Sequence, residues 1–234
     1  MLLFSDDIVD LVNRMKTKDR IVAAALQLFN EQGESNVTTN HIAAHLGISP
    51  GNLYYHFRNK NDIIHRIFLQ YSDHLRKSFT PATGAVNTSP RVWFHYLDAI
   101  FYVMWEFRFF YANLNDILHR DPELHLQYLA VQQELTVNLQ ALLREMNAQR
   151  VLAIPDEEIE PLTEVLRLLV SFWVSYQSAQ SLTPRISQAV LYQGVARVLL
   201  LLKPYFHPEQ GLELASLTAH YQALSSQPSD PFHK

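Results

Sequence analysis

The sequence predicts an all-α protein of two helical domains, and three observations carry that prediction. Apolar residues recur at helical spacing along most of the chain, with no convincing strand alternation. Asp121-Pro122, Ile154-Pro155 and Thr183-Pro184 interrupt the pattern, because the residue before a proline is pushed out of the helical region. Charge is also divided: residues 16–77 carry eight Lys/Arg against five Asp/Glu, and residues 78–234 carry ten against fifteen. A basic first third on an acidic remainder indicates modules with different partners. The expected boundaries are an extension at 1–15, a small domain at 16–77, a larger one at 78–225 and a flexible tail at 226–234.

The elements follow in order. Ile21, Ala24, Ala25, Leu28 and Phe29 mark one face of a first helix that stops near Gly33. Thr38 or Thr39 caps a second helix with Ile42, Ala43 and Leu46 inward, and Gly47 ends it. Ser49 is the natural N-cap of a third helix with Pro50 at its first position. A fourth starts near Lys60 or Asn61, with Ile63, Ile64, Ile67, Phe68, Tyr71 and Leu75 on its buried stripe. The segment TPATGAVNTSP at 80–90 reads as a linker. Longer helices are expected at 91–111, 113–120, 122–149, 157–181 and 187–206, and a weaker one at 209–225.

Composition excludes several classes of chemistry. A chain with 48% apolar residues folds rather than remaining disordered. The absence of cysteine removes disulfides, thiolate zinc sites and thiol catalysis together. No run approaches the roughly 18 apolar residues of a membrane span. The start meets Asp6 and Asp7 too early for a signal peptide, so a cytoplasmic location is expected. Residues 1–14 are either an extension ahead of a start at Met15 or a docking helix built on Leu2, Leu3, Phe4, Ile8, Val9, Leu11 and Val12.

Residues 38–57 show the grammar of a helix-turn-helix: a short helix, a glycine-containing turn and a second short helix. Leu53 and Phe57 anchor the third helix with Ile42, Ala43, Leu46 and Ile48, which leaves Asn52, Tyr55 and His56 without core work. Gly51 keeps the helix tip slim, and a helix N-terminus facing a duplex offers free N–H groups to phosphate.

Three motifs, AALQLFNEQG, TNHIAAHLG and LYYHFRNK, stand in an order and spacing that resembles the TetR family of bacterial transcriptional regulators. The likeness spans about 60 residues. Pro50-Gly51-Asn52 departs from the commoner family residues there, so the resemblance implies the fold and not the operator. It implies base reading by Asn40, Pro50, Gly51, Asn52 and Tyr55, since Asn bonds adenine and a tyrosine ring meets the thymine methyl. It places Thr39, Tyr54, His56 and Lys60 at phosphate-contacting positions. Core packing is an equal alternative for Tyr54. Lys16, Lys18 and Arg20 either extend the footprint or form a solvated basic start.

Other chemistry is set aside. His41 and His45 have the spacing of a zinc pair, but Ile42 stands where a metalloprotease needs glutamate and no third ligand is evident. His119 and His125 are read as surface residues. No phosphate-binding glycine loop or nucleophile elbow appears, so neither an enzyme nor a metal or cofactor is expected.

The second module is unusually aromatic at FYVMWEFRFFYANL, 101–114. Such a helix is covered on most sides or lines a cavity. The resemblance implies a pocket for a small lipophilic or aromatic effector, with Phe101, Trp105, Arg108, Phe109, Tyr128 and Trp173 as candidate lining. VARVLLLL in the 187–206 helix is apolar nearly all round. With the 157–181 helix it suits a two-fold interface, and the resemblance implies a homodimer joined there. The implied function is a one-component regulator, most often a repressor, that leaves palindromic operator DNA when an effector binds. Two rivals stand beside it: an effector-independent DNA-binding factor of this fold, and a helical enzyme or carrier with a vestigial head.

Overall fold

The computed structural model describes residues 16–79, 91–180 and 186–226, and only the backbone of 91–94. The extension at 1–15, the linker at 80–90, the Thr183-Pro184 break and the tail from 227 lie outside the described residues. Four helices open the chain: α1 (Thr17–Gln32), α2 (Thr39–Leu46), α3 (Pro50–His56) and α4 (Lys60–Phe79). Two compact units divide inside α4, between Tyr71 and Ser72.

In the first unit, α1 buries Ile21, Ala25, Leu28 and Phe29, α2 buries Ile42 and Ala43, and α3 buries Leu53 with Phe57 just beyond it. Ile63, Ile64, Ile67 and Phe68 of α4 complete this core. Leu46 and Ile48 are half-buried, less enclosed than their spacing suggests. Gly33 stops α1 at φ +83°, a left-handed conformation that side chains resist, and Gly47 stops α2 at φ +65°.

The second unit holds α5 (Arg91–Glu106), α6 (Arg108–Ala112), α7 (Leu114–Arg120), α8 (Pro122–Ala148), α9 (Asp156–Ala179), α10 (Gln188–Leu202) and α11 (Gly211–Ser225). Leu97, Leu143, Met146, Leu152, Ile159, Val195, Leu199, Leu217 and Tyr221 form its main cluster. Among the described residues there is no strand, only an isolated antiparallel bridge between Leu152 and Phe206.

Two helices are shorter than their patterns predict. The 91–111 helix breaks at Phe107, whose backbone turns to φ −109° and ψ 29° while its ring is buried. Arg108 satisfies the carbonyl this exposes, donating from Nη1 to Trp105 O at 2.8 Å. The rotation buries Phe109, Phe110 and Tyr111 together. The 187–206 helix ends at Leu202, because Pro204 has no N–H to continue the ladder and the chain tightens into a 3₁₀ turn at Lys203–Tyr205.

Candidate nucleic-acid interface

Local hydrogen bonds hold the helix-turn-helix rigidly. The Thr38 hydroxyl accepts from His41 N at 3.2 Å, and His41 Nδ1 accepts from Thr38 N at 3.4 Å. This is a capping box with histidine in the usual place of glutamate or glutamine. Gly47 lets the chain turn, and Ile48 N donates back to Ala43 O at 3.0 Å. Ser49 Oγ accepts from Asn52 N at 3.1 Å, which starts α3 with Pro50 in its first turn. Asn59 Oδ1 accepts from Asp62 N and Asp62 Oδ2 from Arg58 N, so α4 begins with its own reciprocal cap.

The face this produces is polar and open. Asn40, Pro50, Gly51 and Asn52 are exposed, and Tyr55 is 86% exposed on a two-turn helix. The Tyr55 ring meets His56 edge-on, 5.1 Å between centroids. Tyr54 is half-exposed, and its phenol shares a 3.0 Å hydrogen bond with Thr39 Oγ1. This bond ties α3 to the first residue of α2. Residues fifteen apart on different helices leave no local signal for it in the sequence.

Lys60, expected at a phosphate-contacting position, has intramolecular partners. Its ammonium lies 2.8 Å from Glu34 Oε1 and donates to Glu34 O at 2.9 Å and Val37 O at 3.2 Å. Glu34 is 2% exposed. Neither the burial of Glu34 nor this pairing was legible in the sequence, where Glu34 looks like an ordinary turn residue. Lys18, at the start of α1, sets its ammonium 5.3 Å from the centre of the Phe57 ring.

His41 and His45 are both exposed, and among the described residues no group of three or more metal-binding side chains gathers. Nor is any described helix long and apolar enough to cross a membrane.

In the second unit the six candidate ligand residues have packing partners. Phe101 stacks on Tyr192, with centroids 3.9 Å apart and planes 3° from parallel. The Arg108 guanidinium covers the Trp105 ring at 4.1 Å. Phe109 is buried beside Phe110, and Tyr128 lies 6.2 Å from Phe110. Burial is the main cause of a raised Tyr128 pKa, opposed by its bond to Ser171 and by Arg167. Trp173 donates from Nε1 to Val190 O at 2.8 Å and is seated on α10. A groove of about 210 Å³ opens elsewhere, between α10 and α11 beside Ala196, Leu200, Lys203 and Thr218, and none of the six lines it.

An apolar stripe runs along the outside of α9. Val165, Leu168, Phe172 and Tyr176 follow helical spacing and are 41 to 59% exposed, and Leu200 of α10 is 54% exposed.

A capped helix-turn-helix with an uncommitted polar face, joined to a larger helical unit, defines the class of DNA-binding regulators. Comparisons with known proteins narrow it. A family model described as bacterial regulatory proteins, tetR family, matches residues 21–67, and a second, described as bacterial transcriptional repressor, matches 70–214. A TetR-family regulator from Marinobacter aquaeolei VT8 is 33% identical, with a TM-score of 0.78 over 88% of this chain and 99% of its own. The chain belongs to the TetR family of transcriptional regulators, which act by binding DNA and not as enzymes.

Among curated relatives, the regulator SrpR of Pseudomonas putida is 33% identical over 85 residues, 36% of this chain and 40% of that protein. The negative regulator of the icaADBC biofilm operon, IcaR of Staphylococcus aureus, is 27% identical over 130 residues, 56% of this chain and 63% of its own. The alignments thus span less than two thirds of these relatives. A regulator from Saccharomonospora viridis in complex with choline shares the fold at 18% identity and a TM-score of 0.57, covering 78% of this chain and 95% of its own.

Proposed function

We propose that the protein is a homodimeric repressor that binds palindromic operator DNA in the cytoplasm and leaves it when a small molecule binds the second unit. The observation that carries the DNA-binding part is the exposed face of α2 and α3. Asn40, Asn52 and Tyr55 present amide and phenol groups to solvent with no structural task, as base-reading side chains do. Pro50 and Gly51 form the slim tip beside them. Thr39, Tyr54 and His56 are assigned to phosphate, with the Thr39–Tyr54 bond holding two hydroxyls in one place.

The α9 stripe with Leu200 supports the dimer, since a row of large apolar residues at helical spacing has a poor existence in water. Two heads then reach successive major grooves about 34–36 Å apart. The effector is assigned as lipophilic or aromatic from the ring-rich α5 to α8 region. It acts only by preferring the form of the dimer that does not hold DNA, because equal affinity for both forms shifts nothing. The stacking of Phe101 and the seating of Trp173 favour the effector-independent reading as the rival.

Selection of bound duplexes from a random-sequence pool by the full-length protein tests the proposal, repeated with a panel of lipophilic compounds. A palindromic consensus released by one compound class supports it. A consensus that no compound releases favours the effector-independent factor, and no consensus at all overturns both.

A further inference from the structure

Lys60 stands where the family resemblance puts a phosphate contact, yet its ammonium meets three groups inside the protein. It meets the Glu34 carboxylate at 2.8 Å and the carbonyls of Glu34 and Val37 at 2.9 and 3.2 Å. The ammonium donates to the two carbonyls, and its charge pairs with the carboxylate. Glu34 is 2% exposed, and a buried carboxylate requires a cation held in good geometry. The Lys60 side chain is itself only 23% exposed. Moving this ammonium to a phosphate would break its 2.8 Å ion pair with the buried Glu34 and its two carbonyl bonds, a larger loss than one exposed phosphate contact returns.

The place of these acceptors gives the pair a function. Glu34 opens the 3₁₀ turn Glu34–Asn36, Val37 follows it, and Thr38 is the N-cap of α2. Lys60 is the first residue of α4. The ammonium therefore fastens the start of α4 to the two carbonyls that set where α2 begins. Thr39 and Asn40, the next residues along, belong to the face assigned to DNA.

We propose that Lys60 is a positioning residue rather than a phosphate contact, and that with Glu34 it sets the register of α2 on the base edges. The inference rests on the DNA-binding reading above. A displaced register weakens directional base contacts, which tolerate little error, and leaves the non-directional attraction to phosphate in place.

The test uses full-length protein with two probes: a duplex selected by the wild-type protein and a random-sequence duplex. Lys60→Met, Glu34→Gln and the double variant are compared across a salt series, at a temperature where each is folded. Both single variants are expected to lose about tenfold or more in affinity for the selected duplex, the scale of one misplaced base contact. Random-sequence affinity and the salt slope stay as in wild type, and the double variant is no worse than either single one. A salt slope lowered by about one in Lys60→Met alone, with Glu34→Gln unaffected, identifies a phosphate contact and overturns the proposal. So does a fall in melting temperature with selectivity intact, which marks a merely structural pair. If Lys60→Met does not fold, Glu34→Gln still decides, since a Glu34 change that spares selectivity refutes the positioning role. Failure of the wild-type protein to select any duplex counts against the DNA-binding reading instead.

Discussion

Trp173 lies so close against Gly194 that a Cβ built on the glycine falls 2.7 Å from the indole Cδ1 and 2.9 Å from Nε1. The ring cannot retreat without giving up its bond to Val190 O. Gly194→Ala is therefore expected to destabilise the second unit by about 1–3 kcal/mol, the usual penalty of overpacking. This happens although alanine favours helices over glycine by up to about 1 kcal/mol. Denaturant unfolding measures the balance. A stabilised variant would show that Trp173 moves freely.

Asn52 makes no side-chain hydrogen bond among the described residues, and only its backbone N–H is used, by Ser49. Asn52→Ala should leave the unfolding free energy within about 0.5 kcal/mol of wild type. Its affinity for a selected duplex should fall by about 1–3 kcal/mol, with one base position relaxed. Equal losses on random DNA would remove Asn52 from the base-reading set.

At Gly51 the nearest atom to an added Cβ is Ser49 Oγ at 3.9 Å, so the protein itself has room for alanine. Gly51→Ala should be neutral or gain up to about 1 kcal/mol in stability. If DNA approaches the tip of α3 closely, affinity falls while stability does not. Titration and thermal unfolding of one preparation separate the two.

Leu168 and Phe172 lie one turn apart on the exposed α9 stripe, 59% and 41% accessible. Replacing Phe172 by Glu places a charge in the assigned dimer interface, where an unpaired charge costs several kcal/mol. Analytical ultracentrifugation should show monomers, and binding to a palindrome should weaken far more than binding to a half-site. A variant that remains dimeric moves the interface elsewhere.

Tyr221 donates to Asp98 Oδ1 at 2.7 Å from a fully buried position, whereas Asp98 is exposed. Removing the acceptor strands the phenol, and removing the phenol leaves a carboxylate that water can solvate. Asp98→Ala should thus cost more than Tyr221→Phe, with about 1–3 kcal/mol expected for a stranded donor. Burial first, and Asp98 second, raise the Tyr221 pKa. The unfolded chain then loses this proton before the folded one. The contribution is complete below about pH 10 and lost as pH rises further, a decline that Tyr221→Phe should soften.

The parts of this protein legible in the sequence are those decided within a few residues. Ser49, Pro50, Gly47 and the stripe Ile63, Ile64, Ile67 act through caps, turns and helical spacing, and each has the place its neighbours dictate. The break at Phe107 was hidden, because α5 through α6 reads as one apolar helix until burial of Phe109, Phe110 and Tyr111 rewards the turn. Ring partners were equally hidden: Phe101 finds Tyr192 across 91 residues, and nothing near Phe101 distinguishes stacking from lining a cavity. Lys60 shows the same limit. A lysine opening a helix looks alike whether its partner is a nucleic acid or a glutamate 26 residues earlier.

The division of labour along α3 bears on how such a regulator changes over generations. Leu53 and Phe57 hold the helix, Ser49 starts it, and Gly47 aims it, while Asn52 and Tyr55 carry none of those duties. Target choice and fold maintenance thus draw on separate residues. A lineage, or an engineer, can retune the outward positions one at a time without first finding compensating changes inside.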